Sequence, residues 1–222
     1  MSQSDTPILA KDAQKPLYVG VDVGGTNIKI GLVDDDGQTL AYHTMPTEQD
    51  KGAEDACGRM ARVVSQLIDQ VGAKRDDVVR AGIATPGPMD IAAGMILRPG
   101  NVPGWWDFPI RDRFHFHLGI PVAFANDANA AAYGEFWRGA GAQYDSLVLL
   151  TLGTGIGGGI IVGDTLIATG QCDPDSKRMY ARGRLVVDHV AVVAAAVQRL
   201  DQPPEPIPLD DVHSFTVPQD AL

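Results

Sequence analysis

Five short stretches of this chain carry residue types that could do chemistry together. The first is Asp22-Val-Gly-Gly-Thr-Asn-Ile-Lys29. Gly24 and Gly25 let backbone N–H groups come close to a ligand, and Thr26 adds a hydroxyl donor. Consecutive amides in such a turn form a nest for phosphate oxygens. Asp22, placed at a strand end, can hold Mg²⁺ directly or through water, and Lys29 adds a positive charge. The same residues would also make a plain hairpin turn. The second stretch, Leu152-Gly-Thr-Gly-Ile-Gly-Gly-Gly159, is denser in glycine than a hairpin needs. Gly153, Thr154 and Gly155 therefore read as a second place where backbone approaches a ligand. Its spacing imitates a dinucleotide-binding fingerprint, but a strand follows where that motif requires a helix.

Asn126-Asp127 closes a short apolar run and precedes an alanine-rich segment. Asp127 suits either a helix cap or a general base that takes a proton from a sugar hydroxyl. In Asn101-Val-Pro-Gly-Trp-Trp106, the Asn101 amide can both donate to and accept from sugar hydroxyls. Trp105 or Trp106 could wall a pocket there, or anchor a surface loop. Thr85-Pro86-Gly87-Pro88 is a rigid loop at a strand end, where α/β proteins commonly place ligands.

Positioning these groups requires an α/β frame. Leu17–Asp22, Asn27–Val33 and Thr39–Thr44 read as strands, with an Asp34-Asp-Asp-Gly37 hairpin turn between the last two. Cys57, Met60, Val64, Leu67, Ile68 and Val71 recur at helical spacing over 54–71, and Gly72 fits the stop. Val78–Ala84 and Val122–Ala125 are further strands, with helices expected at 110–118 and 128–138. A second strand–glycine turn–strand unit follows at 146–152 and 160–162, repeating the opening hairpin in order of elements. Leu185–Leu200 reads as a helix.

The 222 residues carry a formal net charge of -10 and 45% hydrophobic residues. This is a globular composition, and the acidic balance argues against nucleic acid as a partner. The first sixteen residues are polar, and the apolar run at 185–197 is short and contains Asp188 and His189. No membrane span or leader is expected, and a cytoplasmic location with reduced thiols is. Cys57 and Cys172 lie in no metal-ligand spacing, so no zinc is expected.

Taken in order, Asp22-x-Gly-Gly-Thr-x-x-Lys29, Thr85-Pro-Gly87, Asn101-Val-Pro-Gly-Trp105, Asn126-Asp127-Ala-Asn129 and Leu152-Gly-Thr-Gly-Ile-Gly-Gly158 resemble the ROK family of sugar kinases, bacterial glucokinases most of all. The resemblance runs from about Leu17 to Gly170. It implies an actin-like ATPase (ribonuclease H-like) α/β fold of duplicated lobes with a cleft, and ATP with Mg²⁺ as the phosphoryl source for a hexose, glucose foremost. It implies Asp127 as catalytic base. Asn101, Asn126, Asp127 and Gly87 would contact the sugar. Asp22, Gly24, Gly25, Thr26, Lys29, Gly153, Thr154 and Gly155 would contact the phosphates and metal. Beyond Gly170 the family's Glu-x-Gly-His and Cys-x-Cys-Gly segments are missing from the sequence. The expected organisation is a disordered stretch at 1–16, a complete first lobe at 17–140, the start of an incomplete second lobe at 141–170, and a partly disordered tail at 171–222. A truncated or frameshifted second lobe, and doubtful activity for this chain, are part of that expectation. The alternatives are a non-catalytic sugar-binding regulator, an inactive truncated gene product, and a kinase for another hexose such as an N-acetylated amino sugar or fructose; a homo-oligomer is left open, with no residue pattern supporting it.

Overall fold

The computed structural model describes residues 8–152, 156–163, 165–167 and 191–196. It divides into two compact units, Met1–Asp127 and Ala128–Leu222. In the first unit, β1 (Leu17–Val23), β2 (Asn27–Val33) and β3 (Thr39–Pro46) form an antiparallel meander. Then follow α1 (Gly52–Gln70), β4 (Val78–Thr85), the short strands β5 (Met89–Asp90) and β6 (Met95–Ile96), α2 (Ile110–Leu118) and β7 (Val122–Asn126). The main sheet has the order β3-β2-β1-β4-β7.

Local sequence explains most of these elements. Asp34 is only 1% exposed, because its carboxylate closes the β2–β3 turn: Oδ1 accepts the N–H groups of Asp36 at 3.1 Å and Gln38 at 2.8 Å. An Asp side chain bonding its own turn in this way is a standard substitute for backbone pairing. Helix α1 buries Ala56, Cys57, Met60, Val64, Leu67 and Ile68 along one stripe. Ile110, Phe114 and Leu118 of α2 join the same core, against Leu17, Val19, Val21, Ile28, Ile30 and Leu32 of the sheet. Each such large side chain contributes roughly 1.5–3 kcal/mol when fully buried. Strand β1 is buried on one face only: Val19, Val21 and Val23 are in the core, whereas Gly20 and Asp22 are exposed.

The N-terminal stretch expected to be disordered to residue 16 is part of this unit from residue 8. Ala10 is buried and its N–H donates to Val71 O at 2.9 Å. The N–H of Gln14 donates to Asp34 Oδ2 at 3.1 Å, and Lys15 pairs with Asp77 at 2.7 Å. A polar stretch of this kind has no periodicity to announce it; the Val71 carbonyl and the Asp34 and Asp77 carboxylates, all distant in sequence, hold it in place.

The second unit holds α3 (Asp127–Arg138) from its second residue onward, followed by β8 (Ser146–Leu152), β9 (Ile156–Val162), β10 (Thr165–Ile167) and β11 (Ala191–Ala196), in the sheet order β10-β9-β8-β11. The unit boundary after Asp127 thus falls before the end of the lobe expected over 17–140. Its core is Ala132, Leu147, Leu149 and Ile161, with Phe136, Tyr144 and Leu166 packed around it. β9 begins at Ile156, so Gly157, Gly158 and Gly159 lie in a strand paired with Thr151, Leu150 and Leu149, not in a turn. Glycine is required there by the close approach of α3: a Cβ at Gly159 would sit 2.5 Å from the Ala132 Cβ. The helix expected over 185–200 is corrected at Ala191–Ala196, which is a strand pairing in parallel with β8. A short Ala/Val run fits either state by periodicity, and the free edge of β8 decides it. The rest of the tail lies outside the described residues. Among the described residues no helix is long and apolar enough to cross a membrane.

Candidate functional site

Strands β1, β4 and β7 run parallel, so their C-terminal ends reach one edge of the sheet. In register, Asp22 of β1 lies beside Ala84 of β4, and Thr85 of β4 lies beside Asn126 of β7. The turn Gly24–Thr26, the loop Thr85–Gly87 and the pair Asn126–Asp127 therefore leave the sheet at the same edge. Crevices at the carboxyl ends of parallel strands are the usual ligand sites of open α/β sheets.

The Gly24–Thr26 turn is tied down on its inner side. Gly24 N–H donates to Asn27 O at 2.9 Å, Thr47 N–H donates to Thr26 O at 2.9 Å, and the Thr47 hydroxyl donates to Gly24 O at 2.7 Å. The Gly24 amide is thus spent inside the turn, which narrows the expected phosphate nest. The N–H groups of Gly25 and Thr26 take no part in these bonds. Asp22 and Lys29 sit opposite one another in the β1–β2 ladder, with Nζ and Oδ2 3.8 Å apart and both side chains about half exposed. A pair that long and wet is worth about 0–1 kcal/mol, so neither group is committed to the other. Two amides, a hydroxyl, an ammonium and a carboxylate form a set that fits a phosphate chain and a hard divalent cation.

Asn101 is exposed on the loop between β6 and α2, while Trp105 of the same loop is fully buried in the first unit's core. Trp105 is therefore the loop's anchor, and Trp106 stands 57% exposed. The loop's backbone comes against the glycine turn so closely that a Cβ on Gly25 would lie 2.6 Å from Asn101 O. Between these elements opens a groove of about 770 Å³, lined by Gly25, Thr26, Glu48, Gln49, Asp50, Gly52, Pro103 and Gly104. Neither tryptophan lines it. Gly87 is half-buried in its loop. At the end of β7, Asn126 Nδ2 donates to Asp127 Oδ1 at 2.9 Å, which fixes the orientation of the carboxylate where α3 begins.

The sequence-based candidates Asp22, Gly24, Gly25, Thr26, Lys29, Gly87, Asn101, Asn126 and Asp127 all fall in the first unit, and the strand ends together with the Gly25–Asn101 contact gather them along one edge. Gly153, Thr154 and Gly155 belong to the second unit and lie outside the described residues. Sequence reasoning missed the segment Thr47–Gln49. Its own residues carry no signal; it is the pairing of Asn27 with Pro46 at the open end of the β2–β3 hairpin that carries residues 47–49 alongside Thr26 and Gly25. Among the described residues no cluster of three His, Cys, Asp or Glu is arranged to hold a metal ion.

Residues 18–172 match the ROK family model. A glucokinase from Thermotoga maritima is 39% identical over 143 residues, which are 64% of this chain and 44% of that protein. The crystal structure of a ROK hexokinase from Thermus thermophilus superposes with a TM-score of 0.61 at 38% identity, covering 68% of this chain and 48% of that one. A ROK family glucokinase from Streptomyces griseus, in complex with glucose and AMPPNP, does so with a TM-score of 0.55 at 35% identity, over 68% and 46% of the two chains. The chain spans less than half the length of these relatives. The fold is accordingly the actin-like α/β fold of ROK kinases, with the second lobe represented only in part, and the chain belongs to the ROK family.

Proposed function

We propose that this chain carries the sugar- and phosphate-binding elements of an ATP-dependent hexose kinase, with glucose converted to glucose 6-phosphate as the leading reaction. The observation that carries the reading is the convergence of β1, β4 and β7 at one sheet edge, which sets Asp22–Thr26, Thr85–Gly87 and Asn126–Asp127 side by side. The similarity to glucokinases, one of them solved with glucose and a nucleotide analogue, supports it. Asn101, Asn126 and the Gly87 backbone hold the sugar hydroxyls. Asp127, oriented by the Asn126 amide, accepts the proton of the attacking hydroxyl as its oxygen bonds to the γ-phosphorus and the bond to the ADP oxygen breaks. The amides of Gly25 and Thr26 and the Lys29 ammonium neutralise phosphate charge, and Asp22 offers oxygen to Mg²⁺. Gly153, Thr154 and Gly155 have the composition of a second phosphate loop. Mg²⁺, when bound, supplies further charge neutralisation at the transferring phosphoryl group. Phosphoryl transfer depends chiefly on such positioning and charge compensation. The acidic chain, lacking any described membrane-crossing helix, fits cytoplasmic work on small molecules.

The test is glucose-dependent ADP release by the purified chain over a panel of hexoses, with glucose binding followed by calorimetry. Asp127→Asn should lower turnover by about 10²–10⁴-fold while glucose affinity stays within a few-fold. Binding of glucose without turnover in the unsubstituted chain would favour a non-catalytic sugar-binding role. Neither binding nor turnover with any hexose would refute the proposal.

A further inference from the structure

Gln49 joins two loops that the sequence places far apart. Its Nε2 donates to the Gly25 carbonyl and, at 3.0 Å, to the Asn101 carbonyl. These bonds span 24 and 52 residues of chain, respectively. Two backbone carbonyls brought together repel, and a primary amide with two N–H donors is the group that satisfies both. Gln49 is itself held from behind. Glu48 sits at φ +50, and its carboxylate pairs with Lys51 at 2.8 Å and Arg59 at 3.2 Å. Arg59, anchored on α1, also donates to Pro46 O at 2.8 Å and Thr47 O at 2.6 Å. A continuous set of bonds therefore runs from the helix through residues 46–48 to the amide between the loops.

We propose that Gln49 is a positioning residue that clamps the Gly24–Thr26 turn to the Asn101 loop, so that a sugar settled on the loop also stiffens the turn for phosphate. The coupling half of this rests on the roles assigned to the two loops under Proposed function; the clamp rests on the hydrogen bonds alone. An ordered turn takes up its phosphate ligand at lower entropic cost, which is how occupancy of one loop would be felt at the other.

Hydrogen exchange on the full chain tests it, reading the segments 23–28 and 98–104 with and without glucose. Gln49→Glu keeps the shape of the side chain and removes both donors. It should speed exchange roughly tenfold in both segments, as expected for about 1.4 kcal/mol of lost hydrogen bonding. Thr47→Val, which removes a bond to Gly24 O only, should speed exchange in 23–28 alone. In the unsubstituted chain glucose should protect both segments, and in Gln49→Glu only 98–104. Gln49→Ala should reproduce the pattern without introducing a charge. Exchange at the original rate in either segment of both Gln49 variants overturns the clamp, as does a rise spread over the whole β1–β4 core. Absence of any glucose protection in the unsubstituted chain overturns the coupling and the sugar-kinase reading together, while the unliganded rates still judge the clamp separately.

Discussion

Replacing Gly25 with alanine tests how tightly the two loops are pressed together. The added Cβ would meet Asn101 O at 2.6 Å and the Gln49 Nε2 at 3.6 Å. An ordinary contact begins at about 3.4 Å, so the backbones must separate by roughly 0.8 Å, and the obstructing atom is a main-chain carbonyl that cannot rotate aside. Gly25 does not have a positive φ, so the cost is steric and not conformational. Overpacking of this kind costs about 1–3 kcal/mol, and opening the contact strains the Gln49 bonds as well. For a chain of this size that corresponds to a fall in Tm of roughly 2–12 °C. Gly82→Ala is the matched control. It also lies in the first unit at negative φ, and a Cβ there meets nothing within 4 Å. It should be neutral or stabilise by about 0.4–1 kcal/mol through the unfolded chain. Thermal melts and urea titrations of the two variants, with glucose affinity measured in parallel, make the comparison. If Gly25→Ala melts with the unsubstituted protein and binds glucose equally well, the loops are not in the contact described, and the argument for a shared site at this edge fails.

Three further outcomes follow from other parts of the first unit. Arg59→Lys should destabilise the chain by about 1–3 kcal/mol, because an ammonium cannot serve the Pro46 and Thr47 carbonyls as a fork does; urea midpoints measure this, and an unchanged midpoint would remove Arg59 from the support of residues 46–48. Glu54 is held down to about 2 chiefly by its bonds to Arg113, with His117 assisting. Its folded value lies below its unfolded value of 4.5, so its contribution is full above the unfolded value and fades as pH falls through the folded one. The stability gap between the unsubstituted chain and Glu54→Gln should therefore narrow from pH 4.5 toward pH 2, read as urea midpoints; a gap that is flat over that window would refute the pairing. The Cys57 thiol is fully buried and pushed up to about 12, mainly by that burial. It should resist alkylation at pH 8 until the protein is unfolded, and rapid site-resolved labelling of the native protein would contradict the packing of α1.

The features legible in linear order are those that short-range chemistry controls. Period-two alternation with an Asp-Gly turn marks β1 to β3, because side-chain direction in a strand flips at every residue and Asp34 can close its own turn. The apolar stripe of α1 marks that helix for the same local reason, with a period of 3.6. The phosphate-type turn, the Asn101 loop and Asn126–Asp127 could be picked out because glycine density, amides and carboxylates at strand ends are visible in linear order. Contacts between distant residues decided the rest. The first residues from position 8 are ordered because Val71 and Asp34 offer them partners. Gly157–Gly159 form strand instead of turn because they pair with Leu149–Thr151 of β8. Ala191–Ala196 forms a strand because β8 has an edge to fill, a choice that its own side chains leave open. The role of Gln49 is the clearest case. Nothing in the local run Thr47-Glu-Gln distinguishes that amide from a solvated one. It acquires its two partners only when the β2–β3 register and the buried Trp105 anchor bring Gly25 and Asn101 to the same point, because a hydrogen bond depends on distance in space and a sequence records only distance along the chain.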